Sequence, residues 1–322
     1  MRNENSLYTV VAIVATVLFL LGSSFFFEWD FSQSIFSSLE GNVILSSLIS
    51  IVAYTIIGFS ISYVNLRCFS YSSRSVMLYG TYLMLALALP SSLVFSQYHL
   101  AAPLVIWAIM YMFKFVTYEK LKYSHLFISI LYISTAAMLV PQLIVYLLLF
   151  LFFSFGRREY GALKVLYTIA GAVMIPWIYL FTYLFLIDGP LMGEVMDIYF
   201  GEIAHIAPTI SGLTISGVVY YSVVLLIMIR SMLYFRALYS QRNRAQRVSI
   251  NLSLALSISS LVMMFLYFNP NEFMLAIPLF VPFAFSVFDY FKNGRKGEAG
   301  IAFTLLFVLT IFYRISSLLE TI

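Results

Sequence analysis

The stretch YTVVAIVATVLFLLGSSFFFEWDFSQSIFSSLEGN, residues 8–42, joins a long apolar run to a segment that carries Glu28, Asp30 and Glu40 and no Lys or Arg. A run of about 20 apolar residues is long enough to cross a roughly 30 Å hydrocarbon layer as a helix, and a helix satisfies its own backbone groups there. This run is too long for the core of a signal peptide. Bulky Phe25, Phe26, Phe27 and Trp29 follow it where a cleavage site would need small residues, so it reads as an anchor that stays. The fold then turns on whether the rest of the chain repeats this pattern, and on which side of a membrane the acids face.

The rest does repeat it. Of 322 residues, 62% are hydrophobic and 10% are charged, whereas a soluble domain is about one quarter charged. There is too little polar surface to cover a globule, so lipid is the expected solvent for much of the exterior. Apolar runs fall at 8–27, 43–62, 77–97, 101–115, 126–138, 140–155, 162–187, 212–229, 252–268, 272–290 and 299–317. The expected fold is all-α, a polytopic transmembrane bundle of about 11 segments. No break between runs is long and polar enough for a soluble domain, so residues 1–322 read as a single integral membrane domain. Cys68 is the only cysteine, which excludes an internal disulfide and a cysteine metal cage.

Charge between the runs sets the orientation. Arg2 precedes the first run. Arg67 and Arg74 follow the second, Lys114, Lys120 and Lys122 the fourth, and Arg157, Arg158 and Lys164 the sixth. Arg230, Arg236, Arg242, Arg244 and Arg247 follow the eighth, and Lys292, Arg295 and Lys296 the tenth. These alternate breaks hold every Lys and Arg except Arg314. The pattern predicts an N-in, C-out arrangement, with the segment after the first run facing away from the cytoplasm. Two places depart from simple spans. SSLVFSQYHLAAP, residues 91–103, separates runs 77–97 and 101–115 between Pro90 and Pro103, and Pro141 divides 126–155 into two short pieces. Pairs of full crossings and short re-entrant hairpins both fit the charge rule there.

Several residues are candidates for chemistry. In PLMGEVMDIYFGEIAHIAP, residues 190–208, Glu194, Asp197, Glu202 and His205 fall within about 140° of arc on a helix, opposite Met192, Met196, Tyr199, Ile203 and Ile206. Such a face could hold substrate or a divalent cation such as Mg or Mn through oxygen ligands. It could equally be the wet side of an interfacial helix. The spacing is no metal signature, and it assigns no cofactor. Glu28 and Asp30 flank Trp29, a typical interface anchor, and in an extended segment both carboxylates point the same way. His99 lies in an outward break. RSMLYFRALYSQRNRAQR, residues 230–247, is the most basic stretch and reads as a positive-inside signal that meets anionic lipid headgroups, not nucleic acid. There is no P-loop, dinucleotide fingerprint, HExxH or nucleophile elbow.

From residue 114 to 185 the chain reads KFVTYEKLKYSHLFISILYISTAAMLVPQLIVYLLLFLFFSFGRREYGALKVLYTIAGAVMIPWIYLFTYLF. A basic turn with Lys120 and Lys122 leads to two short helices around Pro141. A second basic turn with Arg157 and Arg158 precedes a long helix with Gly171 and Pro176. This stretch resembles the middle of GT-C superfamily glycosyltransferases, and it is also similar to an uncharacterised family of bacterial inner-membrane proteins. The GT-C resemblance implies catalytic acids in the first outward loop, the place of Glu28 and Asp30, acting as general base or holding a metal. It also implies a polyprenyl-phosphate sugar as donor. Glu194, Asp197, Glu202, His205, His99 and Arg314 are then the candidates for binding substrate, the cations among them opposite its phosphate. The expected protein is a multi-pass protein of the bacterial inner membrane that acts on lipid-linked sugars or envelope precursors at the extracytoplasmic face. The alternative is a non-enzymatic subunit, scaffold or lipid carrier of the same membrane.

Overall fold

A computed structural model describes residues 4–24, 42–65, 76–117, 122–155, 162–186, 201, 214–237, 239, 244–267 and 274–321. Among the described residues the regular elements are helices: α1 (Glu4–Ser23), α2 (Val43–Val64), α3 (Val76–Ala86), α4 (Gln97–Thr117), α5 (Tyr123–Leu139), α6 (Ile144–Phe155), α7 (Ala162–Leu186), α8 (Ile215–Ala237), α9 (Arg244–Leu266), α10 (Ala276–Asn293) and α11 (Lys296–Thr321). Each matches one apolar run of the sequence. Short 3₁₀ helices at Pro90–Leu93 and Pro141–Leu143 precede α4 and α6. Five of the helices, α2, α4, α8, α9 and α11, are long and apolar enough to cross a membrane.

The bundle carries large apolar side chains on its exterior as well as in its core. Large apolar side chains such as Ile44, Phe59, Phe152, Leu226, Phe265 and Leu319 are exposed, a surface that water would not tolerate over so wide an area. Serines lie inside. Ser46 and Ser50 of α2, and Ser249, Ser253, Ser257 and Ser260 of α9, are buried. Small hydroxyl residues let helices approach closely where apolar surface supplies no net drive toward association. This is a multi-pass helical membrane protein.

α10 is the hub. It is buried without a break from Ala276 to Tyr290 and packs on α3, α4, α8, α9 and α11. A helix that is mostly apolar on every side is expected at such a place. Close pairs fix the directions of the others. Tyr220 on α8 stacks on Tyr313 of α11, and Arg230 meets Glu298, so these two run antiparallel. Ser129 on α5 bonds the Ala108 carbonyl of α4 at 2.8 Å, and His125 lies beside Tyr111, so α4 and α5 also oppose. Carried through the bundle, these directions bring Lys114, Lys122, Lys164, Arg230, Arg236, Arg247, Lys292, Arg295 and Lys296 to one end. Among the described residues, Arg314 is the only Lys or Arg toward the other.

Each of the two ambiguous regions is a pair of helices joined by a turn that contains a short 3₁₀ helix. The run 77–97 stays helical only to Ala86, because Pro90 lacks an N–H and disfavours helix in the residue before it. Pro103 falls inside α4 and leaves that helix unbroken. Along α2, at 1.5 Å per residue, Ser46 lies about 5 Å and Tyr54 about 17 Å inside the first helical residue. The backbone of the first turn bonds to these levels: Phe95 N–H to Ser46, and Ser92 O to Tyr54. The turn is therefore sunk into the bundle. Ten residues beyond Ser129, Leu139 is level with Tyr98, so the second turn, Pro141–Leu143, lies at about the same depth as the first.

Candidate functional site

Non-helical backbone at membrane depth needs hydrogen-bond partners from the protein. On α2, Ser46, Ser50 and Tyr54 recur every four residues and so share one face. The Ser46 hydroxyl accepts the Phe95 N–H at 2.9 Å, Ser50 donates to the Leu93 carbonyl at 2.9 Å, and the Tyr54 hydroxyl donates to the Ser92 carbonyl at 3.2 Å. Tyr79 of α3 donates back to the Tyr54 carbonyl at 2.9 Å.

His99 completes this clasp. The Ser96 N–H points at its Nδ1 from 3.3 Å, which makes Nδ1 the acceptor and leaves the proton on Nε2. Nε2–H donates to the Ser92 carbonyl at 3.0 Å, so that oxygen receives two donors. The ring packs edge-on against Tyr54 and is fully buried. His99 therefore holds the first turn closed and meets no open surface.

Arg314 is also fully buried, 0% exposed. Its Nε donates to Ser23 Oγ at 2.9 Å, and Nη2 reaches Ser24 Oγ and, at 3.5 Å, the Leu20 carbonyl. Both serine hydroxyls donate in turn to that same Leu20 carbonyl, at 3.0 Å from Ser23 and 2.9 Å from Ser24. The guanidinium thus sits at the C-terminal end of α1, where unsatisfied carbonyls and the helix dipole favour a cation. Tyr54 and Tyr313 are within electrostatic reach of it. Tyr220 and Tyr221 of α8 pack around Tyr313, with ring centroids 4.9 and 5.8 Å away. The result is a buried layer of Arg, Ser, Tyr and His at the end opposite the basic residues.

No family model, curated protein or solved structure matches this chain. The geometry of the buried layer is therefore what bears on function.

Of the residues singled out in the sequence, the structure brings Arg314 and His99 to the same half of the bundle and binds both into its framework. Glu28 and Asp30 lie outside the described residues, as do Glu194, Asp197, Glu202 and His205. Among the described residues no group of His, Cys, Asp and Glu is arranged to hold a metal ion. The chain positions of the first pair are still informative: Glu28 and Asp30 come four and six residues after Ser24, which Arg314 grips.

Two further ionisable side chains are buried, both at positions that sequence reading places near the ends of their segments. Asp289 on α10 is 0% exposed, and its Oδ1 accepts from Asn293 Nδ2 at 2.7 Å. Lys164, assigned above to a basic break, is 1% exposed in the first turn of α7. Both lie near the basic end. Around Asp289, Tyr234 donates to the Asn293 carbonyl at 2.6 Å and Arg230 lies over the Tyr290 ring. The four-residue serine spacing on α2 was the legible signal for the polar layer; Asp289 falls inside the apolar run 272–290, whereas nothing local marks Lys164 as enclosed.

Two side chains in the sunken turns keep an orphaned polar atom: Ser92 Oγ in the first and Gln142 Oε1 in the second. Each such group costs about 1–3 kcal/mol relative to a satisfied one.

Proposed function

We propose that this protein has a GT-C-like helical core, lies N-in and C-out in the bacterial inner membrane, and handles a lipid-linked sugar or envelope precursor at the face opposite its basic residues. The observation that carries this reading is the polar layer at that face, with Arg314 gripping the helix end that leads into Glu28 and Asp30. A polyprenyl phosphate near hydrocarbon needs a countercharge. Among the described residues Arg314 is the cation of that end, and a bound Mg or Mn ion would add to it.

In the reaction so proposed, Asp30 or Glu28 accepts the proton of an acceptor hydroxyl. The acceptor oxygen forms a bond to the anomeric carbon of the sugar. The bond from that carbon to the phosphate oxygen breaks, and polyprenyl phosphate leaves with the electron pair. Glu194, Asp197, Glu202 and His205 would line the same space and orient the sugar or hold the cation. The test is turnover of polyprenyl-phosphate sugars by purified protein and by an Asp30→Ala variant. A positioned general base contributes about 10²–10⁴-fold, so that loss is expected. Equal turnover by both proteins, or none with any donor, removes the enzymatic reading.

A second reading, a non-enzymatic subunit, scaffold or lipid carrier, is favoured by a different observation. The described hydrogen bonds of Arg314 go to α1, so the arginine serves as a helix cap whether or not a phosphate ever approaches. On this reading the protein binds lipid-linked precursors without turning them over.

A further inference from the structure

α4 is enclosed except along one stripe. Between Leu100 and Phe115 its half-buried or exposed residues are Leu100, Pro103, Leu104, Trp107, Tyr111 and Lys114, and the others are buried. At 100° per residue these positions fall within about 100° of arc, so they share one face. α2 and α5 both pack on α4 and both reach this face. From α2, Ser60 accepts the Trp107 indole N–H at 3.0 Å, and Tyr63 stacks on the same ring with centroids 5.7 Å apart. From α5, His125 and Tyr132 pack against Tyr111, with centroids 5.7 and 6.1 Å away. The stripe is thus the floor of a groove, with α2 and α5 as its walls.

The groove changes character along its length. Leu104, Trp107 and Tyr111 line it with apolar and aromatic surface. From Leu104 to Lys114 the helix rises about 15 Å, half of a roughly 30 Å hydrocarbon layer. At the basic end cations gather. Lys114 Nζ stands over the Tyr111 ring, 4.8 Å from its centroid, and Lys114 and Lys122 both act electrostatically on His125. No Asp or Glu lies on α2, α4 or α5, and residues 118–121 add one charge of each sign, Glu119 and Lys120. We propose that this groove binds one anionic phospholipid of the leaflet at the basic end, its phosphate between Lys114 and Lys122 and an acyl chain along Tyr111, Trp107 and Leu104. Charge and depth select the ligand together. Lysine meets phosphate as a point charge, and the apolar floor is one leaflet deep. A free phosphate would leave that floor unused, and a polyprenyl chain would overrun it. The Trp107–Ser60 bond holds the indole in place, so the floor is formed before the lipid arrives. This site is independent of any reaction at the opposite end of the bundle.

The test uses the full-length protein with Trp29→Phe and Trp177→Phe, which leaves Trp107 as the single tryptophan. It is reconstituted in nanodiscs of phosphatidylcholine, into which phosphatidylglycerol or further phosphatidylcholine with brominated acyl chains is titrated. Bromine quenches an indole that it touches. Brominated phosphatidylglycerol should quench Trp107 at a mole fraction at least severalfold lower than brominated phosphatidylcholine requires. Lys114→Gln with Lys122→Gln should remove this preference, about fivefold for each lysine. Arg236→Gln with Lys292→Gln takes the same charge from the basic end outside the groove and should leave the preference nearly intact. Equal quenching by the two lipids overturns the proposal. So does an equal loss in both double variants, which would mean a general attraction of the basic end for anionic headgroups. Native mass spectrometry supplies a readout without fluorescence: the parent should keep one phosphatidylglycerol that the Lys114→Gln, Lys122→Gln variant loses, and retention by both overturns the site. Displacement of that lipid by inorganic phosphate or undecaprenyl phosphate at equal concentration overturns the choice of ligand.

Discussion

At the scale of single residues, the question is how an apolar bundle keeps a guanidinium and an imidazole. Arg314 is kept because α1 ends beside it. The hydroxyls of Ser23 and Ser24, which donate to the carbonyl of Leu20, turn their oxygens to the guanidinium as acceptors at the helix end. Charge-assisted bonds of this kind contribute about 1.5–3 kcal/mol each, against the cost of taking the charge out of water. Arg314→Leu is therefore expected to destabilise by only about 1–3 kcal/mol. Arg314→Lys is expected to be no milder, because a single ammonium cannot reproduce the forked geometry. Thermal unfolding in detergent measures both; a lysine variant as stable as the parent would contradict the forked-cap account. His99 and Tyr54 make a sharper case. Each donates to the Ser92 carbonyl, so either can be lost while the oxygen keeps one partner. His99→Leu together with Tyr54→Phe should cost about 1 kcal/mol more than the sum of the singles. Strict additivity in that double-mutant cycle would show that the two groups do not share the acceptor.

At the scale of elements, close approach between helices depends on what is missing from them. On α2, Gly58 continues the four-residue spacing of Ser46, Ser50 and Tyr54, and the Tyr79 ring of α3 lies where a Cβ on residue 58 would project. Gly58→Val should push α3 away and destabilise by about 1–3 kcal/mol. Gly300 on α11 has open space around it. Gly300→Ala should stabilise instead, by roughly 0.5–1 kcal/mol, since alanine is the better helix former. Opposite signs at these two glycines, measured as shifts in unfolding temperature, check the packing directly. The same scale explains why α3 stops early. The residues from Leu87 to Val94 are mostly apolar, and hydropathy alone extends the helix through them. Pro90 removes a backbone donor, and the α2 stripe together with His99 supplies the turn with substitutes for the lost ladder.

At the scale of the whole molecule, the two ends differ in kind. One gathers Lys and Arg around a network that includes Arg230, Glu298 and Tyr290; the other buries its one described arginine. In the proposed orientation a cysteine at Arg236 and one at Asp30, each introduced with Cys68→Ser, react with impermeant reagents from opposite compartments. Reaction of both from the same side would overturn the orientation and with it the placing of the acids.

Among the described residues, the helical type of the apolar runs and the gathering of Lys and Arg toward one end were legible in the linear chain. Each rests on a property that accumulates along it: hydrocarbon excludes unpaired backbone, so an apolar run becomes a helix wherever it packs, and each basic break adds to the same count. The eleven apolar runs and the eleven described helices correspond one to one for that reason. The depth of the turns, the enclosure of Lys164, Asp289 and Arg314, and the structural duty of His99 were decided only in three dimensions. Arg314 depends on partners far away in sequence, such as Ser23 across 291 residues, and the first turn on α2; the near partners of His99 and Asp289 say nothing of how neighbouring helices enclose them. Whether a polar group at a helix end meets water or a neighbouring helix is set by how the helices are staggered, and stagger leaves no mark on the local order of residues.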